Sequence, residues 1–83
     1  AAPEIYSALV RLKNAVSQGE VDCARLESSL KADLEQIPDS QIDYAAIVDD
    51  QQMKSLRRLD QRAIAIVAVK MGNTRLIDNI ELP

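Results

Sequence analysis

The 83-residue sequence predicts an α+β fold, with two antiparallel helices packed on a small three-stranded antiparallel sheet. Three observations carry that expectation. Apolar residues recur at helical spacing from Ile5 to Ile37, the spacing then shortens to strand-like alternation from Gln41, and Gly72-Asn73 marks a reversal between two apolar segments. The length allows one domain, residues 1–83, and one modest core.

The first helix opens near Pro3, whose missing N–H costs nothing in a first turn. Ile5, Leu9, Leu12 and Val16 then fall on one face, and Gly19 reads as the stop. Asp22 is a good N-cap for a second helix, whose stripe is Leu26, Leu30, Leu34 and Ile37. Pro38 ends it, because it lacks a donor and disfavours helix at the residue before it. The short Gly19–Val21 joint makes the helices antiparallel neighbours. Two such stripes leave each other half-covered, so a further layer is needed.

The second half supplies that layer. Ile42, Tyr44, Ala46 and Val48 alternate with Gln41, Asp43, Ala45 and Ile47, and Asp49-Asp50 closes this strand with turn chemistry. Residues 51–62 are polar apart from Met53, Leu56 and Leu59, which leaves a helical turn or an ordered loop open. Ala63–Val69 is apolar on both faces, the pattern of a central strand covered on two sides, with Ala residues that invite a helix close. After Gly72-Asn73, the segment Thr74–Leu82 forms the third strand.

Composition excludes several kinds of chemistry. The sequence contains no His, which removes His-based acid–base catalysis, His-activated nucleophiles and His-ligated metals. Cys23 is alone, so neither an internal disulfide nor a zinc ribbon can form, and it reads as a small apolar residue of a reducing cytoplasm. The charge of −3 has the wrong sign for nucleic acid. Lys54, Arg57, Arg58 and Arg62 make one basic cluster, read as a solvated turn because no stacking aromatics accompany it. No apolar run approaches a membrane span, and no leader pattern opens the chain. The chain does not begin with Met, as expected of a piece cut from something longer.

No phosphate loop can be built from Gly19 and Gly72 alone, and no carboxylate pair has metal or dyad spacing. No catalytic residue is assigned. One segment does break its own pattern: in Thr74–Leu82, the alternation puts Asp78 in a row with Leu76, Ile80 and Leu82. A carboxylate there requires a cation, backbone donors or exposure. Arg75 lies on the opposite face of a regular strand and is not its obvious partner. Either Asp78 and Asn79 bond local backbone, or they serve a ligand or an interdomain seam.

Arg75-Leu76-Ile77-Asp78-Asn79, preceded by the apolar strand Ala63–Val69 and by Gly72, resembles the C-terminal end of the pantoate–β-alanine ligases. Tyr44-Ala45-Ala46-Ile47-Val48-Asp49 is similar to the family's strand that ends before an acidic turn. Ala2-Pro3-Glu4-Ile5-Tyr6-Ser7-Ala8-Leu9 resembles the opening of the helix after its nucleotide-binding domain, so the likeness spans essentially the whole chain.

The resemblance implies part of an ATP-dependent ligase. That enzyme activates pantoate as pantoyl-adenylate, releases pyrophosphate, and lets β-alanine displace AMP to give pantothenate. ATP and Mg would bind the N-terminal nucleotidyltransferase domain, through His-x-Gly-His and Ser-Ser-Arg-Asn motifs that this sequence lacks; Ser28-Ser29 is followed by Leu30-Lys31. What remains resembles the C-terminal lid domain, whose partners are that N-terminal domain and, in the intact enzyme, pantoate and β-alanine. Dimerisation, cytoplasmic location, and a ligand or seam role for Arg75, Asp78 and Asn79 are implied in the same way. A free-standing α+β interaction module is the alternative.

Overall fold

The computed structural model describes residues 2–82. Helix α1 spans Ala2–Ser17 and α2 spans Cys23–Glu35, followed by strands β1 (Ser40–Asp49), β2 (Ala63–Met71) and β3 (Thr74–Leu82). The strands form one antiparallel sheet in the order β1-β2-β3, and both helices lie on one face of it. The α+β architecture expected from the sequence is the one observed.

The helix ends are closed by local chemistry. At the end of α1, the Gly19 amide donates to Val16 and the Glu20 amide to Ala15, a Schellman motif with Gly19 at φ 107°. A Cβ at that φ would be strained, which is why glycine stands there. Asp22 caps α2 by accepting from the Ala24 and Arg25 amides. Past the other end of α2, the Ile37 amide donates to the Leu34 carbonyl, and the Ser40 hydroxyl donates to the Ile37 carbonyl at 2.7 Å and approaches that of Leu34.

The core is aliphatic throughout. Ile5, Ala8, Leu9 and Leu12 of α1 and Leu26, Leu30 and Leu34 of α2 meet Ala45 and Ile47 of β1 and Ala63, Ala65, Val67 and Val69 of β2. Ala63 and Ala65 face the helices, as the small side chains suggested. The turn between β2 and β3 uses positive φ at Gly72 alone, the pattern of a two-residue type II′ hairpin.

Two features depart from simple alternation. A bulge between Ile42 and Tyr44 leaves Asp43 unpaired in the register. Ile42 therefore joins Ala45 and Ile47 on the helix side, while Tyr44, Ala46 and Val48 share the opposite face. Uninterrupted alternation through Ile42, Tyr44, Ala46 and Val48 is thus corrected: one extra residue re-aims everything after it.

Residues 50–62 form an ordered loop rather than a helical turn. Its backbone bridges Val48 with Ser55 and Asp22 with Arg58, and the Leu59 amide donates to Val21. Leu56 and Leu59 tuck against the core while Met53 stays exposed at φ 58°. The outer edge of β1 is closed by the same loop. The Ile47 carbonyl accepts from Leu56, the Asp49 amide donates to Lys54, and the Ile47 amide donates to the Glu27 carboxylate of α2 at 2.9 Å.

Asp49 anchors the loop. Its carboxylate accepts from the amides of Gln51, Gln52 and Lys54, which is turn chemistry as the sequence suggested. The Gln52 amide above all, helped by Lys54, Gln51 and Met53, holds this carboxyl below its ordinary value of 3.8 against an opposing effect of burial. A depressed folded-state value stabilises the fold above the unfolded value and loses that contribution as pH falls through the folded one. The stability advantage over Asp49→Asn is therefore constant from neutrality down to about pH 5 and shrinks only in more acid solution. Urea unfolding across pH checks this; a gap that opens on acidification would contradict it.

Candidate functional site

Antiparallel pairing decides which side chains share a face. Opposite the helices, Tyr44, Ala68 and Ile77 form one row across the sheet, Ala46, Ile66 and Asn79 the next, and Val48, Ile64 and Glu81 a third. Gln41, Lys70 and Arg75 border that face at its far end. Seven of the nine residues in the three rows are apolar, where a solvated antiparallel face is ordinarily polar. Tyr44 is 41% exposed and Ile77 60%. Among the described residues no helix or further strand covers this face, although Val48 and Ala68 are buried among their neighbours on it, so β2 has a helix layer on one side only, not on the two sides its sequence suggested.

Arg75, Asp78 and Asn79 do not converge. Arg75 and Asn79 point to the open face, and Asp78 points to the helix side, in register with Val67. The Arg75 guanidinium donates from Nε to Asp43 Oδ2 at 2.8 Å, reaching across β2 to the bulge. That contact relieves the direct opposition of Arg75 and Lys70 on neighbouring strands, where like charges repel. Asp78 sits half-buried in the apolar row of Leu76, Ile80 and Leu82. Its one hydrogen bond among the described residues comes from the adjacent Asn79 amide at 2.8 Å, and no cation lies within ion-pair distance.

Other recesses carry little chemistry. One groove lies at the α1–α2 joint, beside Gln18, Arg25, Ser28 and Ser29. A smaller one near the start of β2 brings Lys13, Arg62, Asp50 and Glu81 together, with no ion pair among them. The four side chains of the basic cluster at residues 54–62 are exposed, as a solvated turn requires. Among the described residues, no three His, Cys, Asp or Glu side chains gather where a metal could bind. Gly19 and Gly72 are isolated turn glycines, so no phosphate-cradling loop forms, and the residues present do not fit a nucleotide and its metal.

Cys23 is buried, and its thiol is pushed up first by burial and then by the charges of Glu27, Asp22 and Asp60. It behaves as an apolar core residue. Among the described residues, no helix is long and apolar enough to cross a membrane.

A chain poor in reactive groups, carrying one filled and one open sheet face, suits part of a larger enzyme. A family model described as pantoate-beta-alanine ligase matches residues 1–81. The chain belongs to the pantoate–β-alanine ligase family. It is 36% identical over 81 residues to a pantothenate synthetase of Herpetosiphon aurantiacus, covering 96% of this chain and 29% of that protein. It is 38% identical over 80 residues to one of Maridesulfovibrio salexigens, covering 95% and 28% respectively. The crystal structure of pantothenate synthetase from Thermus thermophilus superposes with a TM-score of 0.88 at 32% identity, over 99% of this chain and 30% of that one. The chain therefore spans less than a third of the length of these relatives.

The open face was the feature hardest to read from sequence, although its signal was present. Ile64, Ile66 and Ala68 are the second apolar set of β2, and the helices use only the first. Asp78 is the other informative residue, because it interrupts a row that would pack better without it. Asp78→Val adds β-propensity and apolar area at a half-buried position and strands no partner beyond the Asn79 amide. Removing an unfavourable residue of this kind raises stability by roughly 0.5–2 kcal/mol. Chemical unfolding of the 83-residue chain measures it, and a loss of stability would show that Asp78 supports the fold.

Proposed function

We propose that this domain is the C-terminal cover of a pantoate–β-alanine ligase, excluding water from the reacting groups while the rest of the polypeptide performs the chemistry. The family match over residues 1–81 carries this reading, together with the small share of each relative that the chain spans. The same share favours a part of a larger enzyme over a free-standing interaction module.

In the intact enzyme the pantoate carboxylate attacks the α-phosphorus of ATP, expelling pyrophosphate and leaving pantoyl-adenylate. The β-alanine amine then attacks the acyl carbon, a proton is lost from nitrogen, and AMP departs with pantothenate formed. ATP and Mg are held by the nucleotidyltransferase domain, in keeping with the absence of His and of a Gly-rich loop from this sequence. A mixed anhydride hydrolyses readily, so a cover contributes by keeping water out and supplies no nucleophile or base of its own.

Arg75 and Asn79, on the open face, are assigned to the seam with the nucleotidyltransferase domain. Asp78 points to the helix side of edge strand β3, so a partner beyond this chain that offset the cost of its place in an apolar row would have to approach along that edge rather than over the open face. Cytoplasmic location and a dimer formed through the other domain belong to the same reading.

Truncation tests the reading. The full-length enzyme forms pyrophosphate and pantothenate in equal amounts from ATP, pantoate and β-alanine. Deleting residues 1–83 leaves pyrophosphate release exceeding pantothenate formation, because unprotected adenylate hydrolyses. The 83-residue chain alone forms no AMP. Matched products from the truncated enzyme at the full-length rate would contradict a covering role.

A further inference from the structure

The helix layer and the sheet layer present different outer surfaces. The outward positions of α1 and α2 are mostly polar or charged, among them Glu4, Ser7, Arg11, Arg25, Ser28 and Lys31, with Tyr6 as the one large exposed apolar side chain there. Arg11 and Asp33 add an exposed ion pair between the two helices at 3.1 Å. That surface suits water.

The outer sheet face does not. Its middle rows hold Tyr44, Ala46, Val48, Ile64, Ile66, Ala68 and Ile77, while charge is confined to the margins at Lys70, the Arg75–Asp43 pair and Glu81. A contiguous apolar patch rimmed by polar groups marks a contact surface. Tyr44 and Ile77 stand on either side of Ala68 as the large exposed side chains of that patch.

The geometry points to this face, rather than the helices, as the surface by which the domain docks on the remainder of the ligase polypeptide, and to an aliphatic covering surface there. The inference rests on the reading of the chain as part of the longer enzyme. Two observations select that occupant. The chain covers only 28–30% of the length of these relatives, so they carry ample further polypeptide to supply a cover. The patch also runs across all three strands, and Ile64 and Ile66 of the central strand, left half-buried, cannot reach the core by any local adjustment, since the helices already fill the other side. Only an external layer can remove them from water.

The two tyrosines give each layer its own reporter. Tyr6, 54% exposed, belongs to the helix layer, and Tyr44 to the open face. Hydroxyl-radical footprinting of the full-length enzyme, resolved by peptide mass spectrometry and referred to the urea-unfolded protein, reads both at once. Burial in an interface core should protect Tyr44 at least about fivefold while Tyr6 stays within about twofold of its unfolded reactivity. Ile77→Lys in the full-length enzyme should restore labelling of Tyr44 and leave Tyr6 unchanged, because Ile77 touches the fold little at 60% exposure.

Protection of Tyr6 with Tyr44 fully reactive would overturn the inference in favour of docking through the helices. Protection of Tyr44 that disappears on dilution would overturn it in favour of a second copy. Pantothenate formation by the same samples is scored separately. Full activity with a reactive Tyr44 removes this face and leaves the ligase reading intact, whereas a protected Tyr44 in an enzyme that makes no pantothenate does the reverse.

Discussion

Strand β2 is the constraint on which the rest depends. Ala63, Ala65, Val67 and Val69 on one side and Ile64, Ile66 and Ala68 on the other leave it no polar face to give to water. A strand of this kind must be central, which requires neighbours on both edges, and β1 and β3 supply them through antiparallel ladders. It must also be covered, and α1 and α2 cover one side with Leu and Ile stripes set close by Ala63 and Ala65. The demand of the second side is left over, and the proposed docking of the domain follows from it.

The outer edge of β1 is where the layers are tied together. Around Ile47 and Asp49, main-chain groups bond to the Glu27 carboxylate from α2 and to Lys54 and Leu56 from the following loop. The Asp49 carboxylate folds that loop back on itself through three amides. One short stretch therefore positions the helix layer, blocks a sheet edge that could otherwise recruit another strand, and orders a loop with little core of its own. In the lid reading, such a domain has to move as a rigid body, and this fastening provides the rigidity.

Much of this was legible in the sequence because it is local. Gly19, Asp22, Pro38 and Gly72 act within a few residues of themselves, and each does in the structure what its chemistry allows. The illegible parts depend on distant groups. The bulge at Asp43 pairs in space with Arg75, 32 residues away, and no local pattern announces it. The path of residues 50–62 depends on backbone partners at Val21, Cys23 and Ile47, so spacing within the loop could not choose between turn and extended chain. Arg75, Asp78 and Asn79 were visible as an anomaly, but strand parity alone separates Asp78 from the other two, and a partner outside the chain leaves no trace in it.

The central claim is that the second cover of β2 comes from the same polypeptide. Photo-crosslinking tests it most directly: p-benzoylphenylalanine placed at Ile77 of the full-length enzyme is irradiated, and the joined peptides are sequenced. The account predicts that the crosslinked peptide lies within the same chain and outside these 83 residues, at apolar side chains. A crosslink to a second copy, or no crosslink beyond solvent, would contradict it.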